Sequence, residues 1–293
     1  RDLLPDPSQF RDMDIAAARI ADAIARDEAI AIFGDYDVDG ATSSALLRDV
    51  LAELGARVCV YIPDRLKEGY GPNAPALLRL AADGVRVVVT VDCGTLAFAP
   101  LAAAREAGLD VIVVDHHAAE ARLPEALAVI NPNRLDEPVG HGHLAAVGVA
   151  FLLAVALLRV LRGRGHFADR PEPDLMAALD IVALGTVCDV VPLKGLNRAF
   201  VRQGITVMAR RTRIGLAALA DVAKLNEAPG TYHLGFVLGP RVNAGGRVGE
   251  SDLGVRLLTT SDAIEARDLA ARLDALNRER QTIEQGGLAQ ALA

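Results

Sequence analysis

With 293 residues, 52% of them hydrophobic, and a net charge of −7, the chain can bury one large core or two modest ones, and its charge argues against indiscriminate nucleic-acid binding while leaving room for a local channel. The positive mean hydropathy reflects alanine-rich helices and not a membrane span, because the most apolar run, 144–161, stops at Arg159 and Arg162 and reads as a buried helix. Cys59, Cys93 and Cys188 have no C-x-x-C spacing, and the opening Arg-Asp-Leu-Leu-Pro-Asp lacks the charged and apolar regions of a signal peptide, so a cytoplasmic protein with reduced thiols and no membrane association is expected.

Residues 29–33, Ala-Ile-Ala-Ile-Phe, have the length and composition of a strand covered on both faces. The run ends in Asp35-Tyr36-Asp37-Val38-Asp39-Gly40. Alternating acids share one side if the segment stays extended, and two carboxylates about 4 Å apart repel by roughly 4 kcal/mol at an effective dielectric near 20. A cation among them would remove that cost. The hexapeptide matches the start of an EF-hand calcium loop, but position twelve is Leu46 where a bidentate Glu is required, and the preceding segment is a strand where a helix is required. A solvated acidic turn is the other reading of the hexapeptide alone.

Residues 40–55 follow with Leu46, Leu47, Val50, Leu51 and Leu54 at helical spacing and Gly55 as the stop. The helix N-terminus faces the acids and favours negative charge. A strand over 57–62 leads to Arg65 and Lys67. Two further apolar runs, 85–91 and 109–114, end in Asp92 and in Asp115-His116-His117. In open parallel sheets ligands bind beyond the carboxyl ends of the strands, so these groups should gather in one crevice. Oxygen donors with one or two imidazoles suit Mg2+ or Mn2+ better than zinc. The fold class is therefore α/β, a doubly wound, mostly parallel sheet over 1–133 followed by a helical second half over 134–261.

In that second half, 134–143 and 162–173 are loops by their Gly and Pro content. His141 and His143 alternate like a metal pair but have no acid or thiol partner at ligand spacing, so a solvated loop is the expectation; His166 is likewise alone. A helix over 175–187 delivers Asp189. His233 is expected to pack or cap. Arg241 and Arg247 flank Gly245-Gly246, read as a Gly-rich turn whose amides could approach a phosphate while the arginines grip it. From Asp262 onward, Ile264, Ala266, Leu269, Leu273, Leu276 and Ile283 predict one long helix meeting Gly286-Gly287 as a hinge or fray, with part of its apolar face exposed.

The succession Gly34-Asp-Tyr-Asp-Val-Asp-Gly40, Thr90-Val-Asp-Cys-Gly94, Asp115-His-His117, Leu184-Gly-Thr-Val-Cys-Asp-Val-Val-Pro-Leu193 and Gly239-Pro-Arg-Val-Asn-Ala-Gly-Gly-Arg247 resembles the RecJ-type single-strand-specific exonucleases of the DHH phosphoesterase superfamily, in order and over nearly the whole chain. The resemblance implies a two-metal site holding Mn2+ or Mg2+. Asp37 and Asp92 would hold one ion with Asp35 close by, and Asp39, Asp92, His116 and Asp189 the other. It further implies His117 at the scissile phosphate, Arg65, Arg241 and Arg247 on substrate phosphates, and Asp115 in support of His116 or of the strand end. The implied activity is 5′ to 3′ hydrolysis of single-stranded DNA to 5′-mononucleotides in repair and recombination, by a monomer working beside a repair helicase or a single-strand-binding protein. Residues 262–293 would link the catalytic part to a DHH-associated domain that this sequence lacks. Two alternatives stand: a small-substrate phosphoesterase of the same superfamily (nanoRNase, cyclic dinucleotide phosphodiesterase or pyrophosphatase), and a non-catalytic DNA-binding scaffold.

Overall fold

The computed structural model describes residues 3–138 and 140–292, the last five of these as backbone only. Strands β1 (Ala29–Phe33), β2 (Val58–Tyr61), β3 (Val85–Val91), β4 (Asp110–Val114) and β5 (Ala128–Ile130) form one sheet in the order β2-β1-β3-β4-β5. Every neighbouring pair is parallel. The apolar runs suit this because their side chains are buried on both faces. Ile30 and Ile32 enter one core, with Val87, Val89 and Ile112, while Ala31 and Phe33 enter the other, with Val88, Val111 and Val113. That is the period of two expressed as two cores.

Helices cover both faces. α1 (Met13–Ala25) and α2 (Val38–Glu53) contribute to the first core, and α4 (Ala74–Ala82) and α5 (Phe98–Glu106) to the second. The short α3 (Arg65–Glu68) follows β2. Strand order reverses between β1 and β3, and such a switch point leaves a crevice at the carboxyl ends of the strands. The chain beyond β5 is helical, and its hub is α6 (Ala146–Gly163), packed against α1 and α2. By length and composition α6 could cross a membrane, but most of it is buried within this fold.

Around that hub lie α7 (Leu179–Cys188), α8 (Gly195–Met208), α9 (Ile214–Val222), α10 (Gly239–Val248), α11 (Leu253–Thr259) and α12 (Ala263–Leu292). Three expectations need correction. The helix predicted from 175 opens as a 3-10 turn over Leu175–Ala178, with the Asp174 carboxylate accepting from the Met176 N–H. Residues 239–247 are not a turn but α10, continued directly from a π-helical turn over His233–Leu238. Glycine is needed there for close approach. A Cβ on Gly246 would lie 2.3 Å from the Tyr36 ring, so the Gly245-Gly246 amides serve the helix and are not offered to a phosphate. Finally, α12 is docked over its first half and unbroken where a hinge or fray was expected. Ala266, Leu269, Ala270 and Leu273 are buried against α9 and α10, the helix runs through Gly286-Gly287 without a break, and of the predicted stripe only Ile264 and Ile283 are exposed.

α7 and α8 pack closely where Gly204 faces Leu179, since a Cβ on Gly204 would lie 2.0 Å from the Leu179 carbonyl oxygen. Backbone cannot yield as a flexible side chain can. Gly204→Ala should therefore destabilise the fold by about 1–3 kcal/mol, the usual cost of overpacking a dense interior, read as a lower urea midpoint at unchanged m value.

Candidate metal centre

The site is assembled from the ends of three neighbouring strands and one helix. Past β1, Asp37 caps α2, its Oδ1 accepting from the Gly40 N–H at 2.9 Å. This ends the strand and turns the chain, with Asp35 before the turn and Asp39 in the first helical turn. Past β3, Asp92 adopts φ 60°, a left-handed conformation uncommon for any residue but glycine. Its amide still donates to the Val114 carbonyl at 3.0 Å. Past β4 come Asp115, His116 and His117. Asp189 stands at the C-terminus of α7, followed by Val190 at φ 60°. A β-branched residue is strained there, and strain of this kind collects at functional sites.

These groups meet. Donor atoms of Asp35, Asp37 and Asp92 lie within 4.8 Å of one another, as do those of Asp92, His116 and His117, and those of Asp39, His116 and Asp189. Asp92 and His116 each belong to two of the three groups. His116 Nε2 is 3.2 Å from Asp92 Oδ1 and 3.8 Å from Asp39 Oδ2, while its Nδ1 is 3.6 Å from Asp189 Oδ2. Asp35 Oδ1, Asp92 Oδ1, His116 Nε2 and Asp189 Oδ2 are all buried without a hydrogen-bond partner among the described residues. An unpaired buried polar atom normally costs about 1–3 kcal/mol. Four in one pocket, on hard oxygen donors with one imidazole, fit divalent cations of the Mg2+ or Mn2+ type.

The electrostatics point the same way. Burial, reinforced by Asp37, pushes Asp35 and Asp189 up to about 7. Burial raises Asp39 and Asp92 well above the ordinary carboxylate range, with further repulsion from Asp189 and Asp37 on Asp39, and from Asp39 and Asp37 on Asp92. Burial lowers His116, favouring the neutral ring that can act as a ligand. Asp39 is partly relieved, because its two oxygens accept from the Ala146 N–H at 2.6 Å and the Val147 N–H at 2.9 Å. It therefore also caps α6. Leu46, at the twelfth position of the calcium-loop match, is fully buried in α2, so no calcium loop forms.

Asp115 acts on His117 and not on the His116 ring. Its Oδ1 lies 2.7 Å from His117 Nδ1 and accepts from the His116 N–H at 2.8 Å, while Oδ2 accepts from the Thr95 N–H at 3.0 Å. The hydrogen bond to Asp115 raises the His117 pKa. Burial would raise Asp115, but His117 and Thr95 outweigh it and hold the carboxyl well below its usual range. Sequence reasoning missed the residues that hold this strand end. Asn131 Nδ2 donates to the Thr95 hydroxyl at 2.8 Å and to the His117 carbonyl at 2.9 Å, and Asn133 Nδ2 donates to the His116 carbonyl at 2.5 Å. Both sit just past β5, a three-residue strand too short to stand out, and the Asn-Pro-Asn punctuation was the one available signal. Tyr70 was also missed; its hydroxyl donates to the Asp92 carbonyl at 3.0 Å.

The three predicted phosphate contacts fare differently. The exposed Arg65 lies over the Tyr36 ring at 4.9 Å, close enough to stabilise the Asp35 carboxylate. Arg247 is exposed in the last turn of α10. Arg241 instead pins α10 to α12, with Nε 2.9 Å from Asp274 Oδ1 and Nη1 donating to the Val237 carbonyl at 2.6 Å. His141 and His143 lie in the loop before α6, their rings 6.0 Å apart. His233 Nδ1 accepts from the Gly230 N–H at 3.1 Å, a local cap.

A family model described as the DHH family, N-terminal domain, matches residues 29–186, which contain every site acid except Asp189. A manganese-bound crystal structure of exonuclease RecJ aligns with a TM-score of 0.87 at 36% identity, covering 98% of this chain and 70% of that one. The chain belongs to the RecJ branch of the DHH family. The RecJ single-stranded-DNA-specific exonuclease of Bacillus subtilis is 42% identical over 94% of this chain and 34% of its own length, and that of Dickeya dadantii 44% identical over 92% and 48%. This RecJ-family chain thus spans about a third to a half of the curated relatives it matches.

Without metal, the raised carboxyls make the fold pH-dependent. A folded pKa of about 7 against an ordinary 3.8 means that these two groups bind more protons in the native state than in the unfolded one between those values, so the stability they contribute is greatest below about pH 4 and is lost as pH rises toward 7. Thermal unfolding in EDTA should show Tm falling over this window. Added Mn2+ should restore it, most strongly at neutral pH; a metal-free Tm that climbs from pH 4 to 7 would contradict the proposed cause.

Proposed function

We propose that this chain carries the catalytic machinery of a metal-dependent exonuclease that degrades single-stranded DNA from its 5′ end, releasing 5′-mononucleotides. The observation that carries this reading is the convergence of four partnerless buried acceptors on Asp35, Asp92, His116 and Asp189, in a chain related to proteins named single-stranded-DNA-specific exonucleases. In the proposed arrangement Asp37 and Asp92 hold one Mn2+ or Mg2+ with Asp35 beside it, and Asp39, Asp92, His116 and Asp189 hold a second. Such a pair of ions supplies a water nucleophile at neutral pH and balances the charge of the leaving oxygen.

The chain's own residues supply the rest. The hydrogen bond to Asp115 raises the His117 pKa and fixes the ring through Nδ1, favouring a protonated ring that would face the scissile phosphate. Asn131 and Asn133 fix the backbone on which both histidines stand. Arg65 and Arg247 take phosphate oxygens of the substrate, as guanidinium groups do bidentately, whereas Arg241 keeps the α10 side of the site in place. In the cell this activity belongs to cytoplasmic DNA repair and recombination, with a helicase or a single-strand-binding protein presenting the strand.

The deciding experiment is Mn2+-dependent digestion of a long oligonucleotide blocked at either end, beside its duplex form and a dinucleotide. The expected result is 5′-mononucleotide release from the single strand with a free 5′ end, and little from the duplex. Preferential cleavage of the dinucleotide would transfer the assignment to a small-substrate phosphoesterase. Asp92→Ala should lower Mn2+ affinity in calorimetry by more than the roughly 10–100-fold typical of losing a supporting partner, and abolish digestion; wild-type metal affinity in that variant would remove Asp92 as the shared ligand. Asp115→Asn should lower the His117 pKa, followed by NMR, and slow cleavage while leaving Mn2+ affinity within a few fold.

A further inference from the structure

From Val190 to Ala220 the chain carries six cations, Lys194, Arg198, Arg202, Arg210, Arg211 and Arg213, and no acid, although the whole chain has a net charge of −7. Two of the six are neutralised. Arg211 pairs with Asp221 at 2.6 Å, and Arg213 with Asp49 at 2.9 Å and Asp180 at 3.1 Å. Lys194, Arg198, Arg202 and Arg210 have no ion-pair partner among the described residues and are all exposed. Arg198 and Arg202 stand four residues apart on α8, a spacing that aligns side chains on one helix face about 6 Å apart, and Lys194 is the residue that precedes the helix. Leaving such a row unpaired in an acidic protein makes it a local positive field for a polyanion.

The row borders a groove of about 460 Å³ lined by Leu193, Arg198, Val201, Arg202, Ile205 and Thr231. One end lies at the loop that follows Asp189. Thr231 on the far wall is followed by Tyr232 and Phe236, 65% and 73% exposed, with rings stacked at 5.2 Å and 29°. Two stacked rings left in solvent offer a π-face that any base can cover. Cys188, the residue before Asp189, donates its thiol to the Leu234 carbonyl at 3.3 Å. The aromatic turn is thereby fixed to the end of α7 that presents the site acid.

We infer that this groove is a track for single-stranded nucleic acid outside the metal centre, with backbone phosphates on Lys194, Arg198 and Arg202 and a base stacked on the Tyr232–Phe236 pair. The inference rests on the nuclease reading for its ligand and adds where the strand runs beyond the hydrolysed bond. Charge complementarity selects a polyanion, and the stacked pair selects one with exposed bases. Stacking on the aromatic pair and phosphate contacts along the row are both tolerant of base identity.

The test is anisotropy of fluorescein-labelled (dT)20 with the 293-residue chain in EDTA over graded KCl. For single strands each phosphate contact contributes about 0.7 to the slope of log K against log salt. The double variant Arg198→Ala/Arg202→Ala should bind about tenfold more weakly at low salt and lose roughly 1.4 from that slope, whereas Arg198→Lys/Arg202→Lys should keep the parent slope. Phe236→Ala should weaken binding about fivefold or more with the slope unchanged. A slope unaltered by the double alanine variant overturns the track, as does failure of the parent chain to bind; undiminished binding by Phe236→Ala overturns the stacking half. No cleavage enters this readout, so it stands or falls separately from hydrolysis, which is scored with Mn2+ on short oligonucleotides.

Discussion

Mutual repulsion among acids that the fold refuses to separate governs this structure. Asp35, Asp37, Asp39, Asp92 and Asp189 are delivered to one pocket by strands and helices whose apolar faces leave no other arrangement, because shifting β1 or β3 by one residue would turn Ile30, Ile32, Val87 and Val89 into the opposite core. Hydrophobic burial thus forces an electrostatic problem at the carboxyl edge of the sheet. Within the chain the problem is only partly solved, by the α2 and α6 amides, by the neutral His116 ring and by Arg65.

The relief that does exist is arranged with direction. Asp37 and Asp39 both accept backbone N–H groups at helix starts, where positive partial charge collects, and each keeps lone pairs for a ligand. Asp92 has no such support. Its left-handed backbone is held by the Val114 carbonyl of β4 on its amide and by Tyr70 on its carbonyl. On the other side of the pocket, Asp115 accepts from the Thr95, His116 and His117 amides and pairs with the His117 ring. One pocket thereby contains acids that resist ionising and one that resists protonation, and this separates the groups available to a cation from those reserved for orientation.

Much of this was legible in the sequence because it rests on local pattern. Strands ending in acid, the parallel doubly wound class and the α2 periodicity all follow from runs of five to seven apolar residues meeting polar ones. The fifth strand was not legible, since Ala-Val-Ile carries no periodicity, and with it went Asn131 and Asn133, whose roles arise only from the neighbouring strand end. Gly239 to Arg247 was misread as a turn because glycine's two uses, unusual dihedrals and close contact, leave the same letter. Only the Tyr36 ring, distant in sequence, shows that contact is the use here. Arg241 was assigned to substrate for a similar reason: its partner, Asp274, lies on a helix whose docking the pattern could not place. Asp189 was legible only through family resemblance, as nothing local distinguishes it from any loop acid.

Asp39 ties two histories together. The residue that faces the metal pocket is also the acceptor on which the central helix of the second half begins, so the helical half is moored to the sheet through an atom that chemistry also claims. A descendant without the proposed hydrolysis could shed Asp189, whose buried Oδ2 has no hydrogen-bond partner among the described residues, with little structural consequence, yet it would still need an oxygen acceptor at position 39 to start α6. An aspartate or asparagine persisting there in an inactive descendant would therefore record architecture and not residual activity.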